Sequence, residues 1–128
     1  EEAWAKIEEF SKEYPEDTQG GLAGVQALML AASGESRKAE DKIKSAADKK
    51  AFGPFHHTAY FIACAYAQMN QPQPAIYWLQ FAAESGFPCY PLFEQDPNLN
   101  LIRKNPGFIT FMAKLKVQRE HYKSTLFQ

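Results

Sequence analysis

Charge of either sign is nearly missing from the middle of this 128-residue chain: between Ala51 and Phe93 the one formally charged side chain is Glu84. Over the whole sequence 14 basic residues face 15 acidic ones, a net charge of -1 that excludes the basic footprint expected of nucleic-acid binding. Cysteine is equally scarce. Cys64 and Cys89 form no CxxC pair, so neither a disulfide scaffold nor a zinc knuckle is written here. Of the three histidines, His56 and His57 are neighbours whose side chains leave a helix about 100° apart, which keeps them from converging on one metal. The longest apolar run, Gly20 to Ala32, is broken by Gln26 and falls short of the ~20 residues that span a bilayer, so no membrane insertion is expected.

What is present is aromatic. The same charge-poor stretch carries 11 of the 18 aromatic residues, which makes it either core or contact surface. At 45% hydrophobic and 23% charged, the composition is that of one ordinary globular unit. The chain opens Glu1-Glu2 without Met and reads as a piece of a longer protein, for which a cytoplasmic setting is the expectation.

Candidate chemistry is thin. Gly20-Gly21-Leu22-Ala23-Gly24 lacks the preceding strand and the Lys-Ser/Thr of a phosphate loop, and its glycines suit close helix packing instead. His57 lies two turns before Cys64 on one helix face, ~10.5 Å away, too far for a hydrogen bond. One turn before Cys64 stand Tyr60 and Phe61, neither of them a base near neutral pH. No enzyme, cofactor or metal site is expected. Lys114, Lys116, Arg119 and Lys123 near the C-terminus read as a solvated basic face.

The periodicity is helical throughout. Ala23, Ala27, Leu30 and Ala39, Ile43, Ala46 follow three- and four-residue steps around the turn Ser33-Gly34-Glu35. Ala59, Ile62, Ala63, Tyr66 and Ala75, Leu79, Ala82 do the same around Asn70-Gln71-Pro72, displaced by a constant 36 residues. Shifting back by the same amount reaches Ala3, Ile7 and Phe10, half of a further unit. Asp96-Pro97 and Asn105-Pro106 each place an N-cap residue before a proline and so start two more helices, after a rigid linker over Phe87–Phe93.

These residues resemble the tetratricopeptide repeat, whose signature W-x2-L-G-x2-Y…A-x3-F the second unit follows with Ala59 and Ala63 replacing Trp and Gly. Gln26 departs from the pattern in the first unit. The run from His57 to Leu115, with Gly86-Phe87-Pro88, Leu92-Phe93, Asp96-Pro97, Leu101-Ile102-Arg103 and Phe108, is similar to the closing tetratricopeptide unit of many bacterial multidomain and scaffold proteins. The resemblance implies an all-α, right-handed superhelix of antiparallel hairpins in a single domain. Residues 1–15 would be the second helix of a truncated repeat, 20–50 and 56–87 two full repeats, and 96–123 the capping helices.

The resemblance further implies a concave groove lined by first helices. Here that groove would be His57, Tyr60, Phe61, Cys64 and Gln68, with Gly24, Val25 and Leu28 from the preceding unit. Such a surface is neutral and aromatic and holds no cation to clamp a peptide carboxylate. It suits an apolar or amphipathic protein segment, where burial at about 25 cal/mol per Å² supplies the affinity. The alternative is a structural module that dimerises or packs against the rest of a larger signalling protein.

Overall fold

A computed structural model describes residues 1–51 and 53–127; Phe52, one of the central aromatics, lies outside the described residues. The chain is all-helical. In order it forms α1 (Glu2–Glu13), α2 (Gly21–Ala32), α3 (Ser36–Ala47), α4 (His56–Gln68), α5 (Pro72–Glu84), α6 (Tyr90–Gln95), a 3-10 helix (Pro97–Ile102) and α7 (Pro106–Leu126). Among the described residues there is no strand, and no helix is long and apolar enough to cross a membrane.

The 36-residue displacement is visible in the backbone. After α2 the chain turns at Gly34 in a left-handed conformation (φ 82°), with Gly34 N–H donating to Ala31 O and Glu35 N–H to Leu30 O at 2.9 Å. After α4 the turn recurs at Asn70 (φ 53°), with Asn70 N–H donating to Ala67 O and Gln71 N–H to Tyr66 O, also at 2.9 Å. Both are the double hydrogen-bonded C-cap that closes a helix through a left-handed residue, a role Gly and Asn fill at least cost. Two hairpins result, α2 with α3 and α4 with α5, and α2 also packs along α4.

Small residues set the spacing. Ala27, Ala39, Ala59, Ala63, Ala75 and Ala82 are all fully buried, with Ile43, Ile62 and Leu79 filling the volume between helices. Glycine does the same where two helices come nearest: a Cβ on Gly24 of α2 would lie 3.2 Å from the Cβ of Phe61 on α4. At Gly20 (φ 69°) the loop passes so close to the end of α3 that a Cβ would sit 2.8 Å from Ala46 O. The glycine run is therefore a packing device, as its sequence suggested.

α2 begins with a cap from outside the helix. Asp17 accepts from Leu22 N at 3.0 Å and from Ala23 N at 2.9 Å, satisfying two of the amides a helix start leaves open. Thr58, buried at the start of α4, donates its hydroxyl to Gln19 O at 2.8 Å and ties the same loop to the second hairpin.

The expected linker over Phe87–Phe93 is corrected in part. Pro91 falls in the first turn of α6, where a proline costs no helical hydrogen bond, and Phe93 is carried into the core. Asp96 and Asn105 cap the two following helices: Asp96 accepts from Asn98 N at 2.9 Å, and Asn105 from Gly107 N at 2.9 Å. Arg103 locks this segment, donating to Phe93 O at 3.0 Å, Asp96 O at 2.6 Å and Asn100 Oδ1 at 2.9 Å.

Candidate functional site

The eight residues expected to line one groove fall into two environments. Tyr60 and Cys64 are not open to a ligand, because the segment from Phe87 to Asn98 lies over that face of α4. The Tyr60 ring stacks on Phe93 at 5.2 Å with 13° between planes, and Phe87 meets it edge-on at 5.6 Å. Gln68 is held in the same seam, donating to Asn98 Oδ1 at 3.0 Å. The expected groove is thus filled by the chain's own C-terminal part along half its length.

At the centre of that seam is the Asp96 carboxylate. Its Oδ2 accepts the Tyr60 hydroxyl and faces the Cys64 thiol at 3.9 Å, while Oδ1 caps the 3-10 helix. Burial, then the negative charges beside them, hold both neutral: the Tyr60 hydroxyl is pushed well above its ordinary value, and the Cys64 thiol is pushed up to about 12. A thiol so placed is a poor nucleophile. His57 is exposed, with its ring 4.9 Å from that of Phe87, and reaches none of these groups as a base.

Val25 and Phe61 belong to the other environment; Gly24 is buried in the contact between α2 and α4, and Leu28 is half-buried against the core. Val25 and Phe61 border an open apolar cleft of about 740 Å³ between α1 and α2. Its far wall is a stripe the sequence did not mark as a site: Ile7 and Phe10 on one face of α1 and Tyr14 at its C-cap, with Leu22 completing the floor. None of α1 is buried, and Phe10 and Tyr14 are each 52% exposed with rings 4.6 Å apart. Three carboxylates, Glu13, Glu16 and Asp17, line the cleft against one lysine, Lys6, with Lys49 donating to Glu16 O at 3.5 Å behind them, so the lining is acidic on balance. The signal for this wall was in the sequence, since Ile7 and Phe10 matched the repeat; among the described residues Ile7 is half-buried and Phe10 is left exposed beside the cleft.

Among the described residues no three His, Cys, Asp or Glu side chains gather where they could hold a metal. No protein-family model, curated protein or solved structure matches the chain.

Proposed function

We propose that this chain is a tetratricopeptide-like helical solenoid that binds other proteins, and that the cleft between α1 and α2 receives an amphipathic helix. The observation that carries the reading is the unpartnered apolar stripe Ile7, Phe10, Tyr14 facing Leu22, Val25 and Phe61 across about 740 Å³. That volume lies within the ~300–1,000 Å³ of sites that enclose a ligand. An amphipathic helix lays an i, i+3, i+4, i+7 stripe into such a groove, and the carboxylates on the rim favour one whose polar face is basic.

The repeated left-handed turns at Gly34 and Asn70 and the buried alanines at matched positions support the repeat assignment. The covered strip at Tyr60, Cys64 and Gln68 acts as the closing seam of the solenoid, and among the described residues the cleft beside α1 is the apolar surface left open.

The reading is tested with a labelled peptide carrying leucine on one helical face and lysine on the other. Fluorescence anisotropy is expected to show binding that weakens when glutamate replaces the lysines and is lost with Phe10→Asp. Equal binding by a scrambled peptide, or binding untouched by Phe10→Asp, refutes the site.

A further inference from the structure

Among the described residues the first and last helices, α1 and α7, carry apolar faces of complementary charge that no other described element covers. At the C-terminal end, α7 buries Phe108, Phe111 and Leu115 against the body and then runs on. Tyr122 and Leu126 fall seven and eleven residues after Leu115 and so continue the same face of the helix, yet they are 63% and 78% exposed. With Pro88 and Leu115 they edge a shallow hollow of about 230 Å³ that no other element of the chain fills among the described residues. Across residues 106–127 four basic residues stand against one acidic residue.

The N-terminal end is the reverse. Residues 1–17 carry seven acidic side chains against two lysines, and their apolar stripe forms the open wall of the cleft. One end therefore offers an acidic-rimmed apolar groove, and the other a basic helix with an uncovered apolar face. Each is the chemistry the other lacks, and both are presented by the same chain.

Resting on the cleft assignment above, we infer that the occupant is a second copy of this chain: the overhanging end of its α7 docks through Tyr122 and Leu126 against Ile7, Phe10 and Tyr14 of the next. The contact joins two different surfaces, so it is heterologous. Each docked copy leaves one free groove and one free helix end, and growth continues unless the rotation closes a ring. Opposite charge sets the direction of approach, and the buried apolar residues hold the pair.

The test is sedimentation velocity on the 128-residue chain up to about 1 mM, with circular dichroism confirming that each variant keeps its helix content. Wild type is expected to form species larger than a dimer as concentration rises, less so in high salt, where the screening length falls to about 3 Å at 1 M. Leu126→Asp and Phe10→Asp are each expected to weaken self-association by at least about tenfold. Mixed together they are expected to yield a heterodimer and nothing larger, since one supplies an intact groove and the other an intact helix end.

Reversal of Lys116 and Lys123 to Glu is expected to weaken association, and Glu13→Lys with Glu16→Lys in the partner to restore it. A wild type that stays monomeric overturns the inference, whether or not it sediments with anionic vesicles through its basic helix. So does a closed dimer indifferent to Leu126→Asp, or a mixture that fails to pair. A monomer that still binds the leucine–lysine peptide in a Phe10-dependent way leaves the cleft standing and removes only the second copy as its occupant.

Discussion

Tyr60→Phe deletes one hydroxyl and leaves the ring where it is, stacked on Phe93 with Phe87 at its edge. What is lost is the hydrogen bond to Asp96 Oδ2, which then has only the distant Cys64 thiol at 3.9 Å. A hydrogen bond to a charged acceptor contributes about 1.5–3 kcal/mol, so a loss near 2 kcal/mol is expected. For a chain of this size that lowers Tm by roughly 6–10 °C. Tyr60→Ala also removes a ring that is 7% exposed and is expected to cost about 5 kcal/mol or more. At an open groove either change would stay within about 0.5 kcal/mol. Urea unfolding followed by circular dichroism reads the difference as a shift in midpoint at constant slope. A cycle with Asp96→Asn is expected to give a coupling of at least about 1 kcal/mol. Tyr60→Phe indistinguishable from wild type, or an additive cycle, would refute the account of the seam.

Three further outcomes are expected. Under native conditions an alkylating reagent is expected to modify Cys89, which is half-buried, well before Cys64, which is fully enclosed and whose thiol is held up to about 12; mass spectrometry of the labelled peptides gives the order, and equal rates would contradict it. Gly20→Ala forces a side chain into the left-handed region and onto a backbone carbonyl 2.8 Å away, for a loss of at least about 2 kcal/mol in melting experiments, whereas Gly34→Ala meets no neighbour within 4 Å and pays only the conformational term of about 1 kcal/mol. Cys64 has its pKa raised from 9.0 to about 12, so the neutral thiol's contribution is intact below pH 9 and withdrawn as pH climbs through that window, at up to about 1.4 kcal/mol per pH unit; Cys64→Ala is expected to reduce the alkaline loss measured by urea midpoints between pH 8 and 9.5, while the Tyr60 hydroxyl, also raised by burial, sustains a loss above pH 10.

The hairpins were legible because their signals are local. Ala39, Ile43 and Ala46 share a face at helical spacing, and Asp96-Pro97 and Asn105-Pro106 announce helix starts within four residues. The 36-residue displacement added long-range information that a single helix does not carry. What remained hidden depends on tertiary neighbours. Nothing near Tyr60 in sequence announces that Asp96 will meet it, so the aromatic face of α4 read as open when it is covered. The α6 helix was missed because two prolines in Phe87–Phe93 resemble a linker until Pro91 is seen to occupy a first turn. The repeat marks Ile7 and Phe10 as half of a further unit, and only the tertiary arrangement shows that they border an open cleft.

The twelve-residue α1 has no fully buried side chain and is held to the body mainly through half-buried Trp4 and Ile7, and isolated helices under ~12–15 residues are marginal in water. Its order is therefore a thermodynamic variable linked to whatever fills the cleft. Any occupant must supply the free energy to fix α1, which lowers its apparent affinity by the fraction of time the helix is formed. The amides of α1 then serve as a built-in gauge: their hydrogen exchange slows as the cleft fills, while those of the enclosed α4 report only on unfolding of the whole.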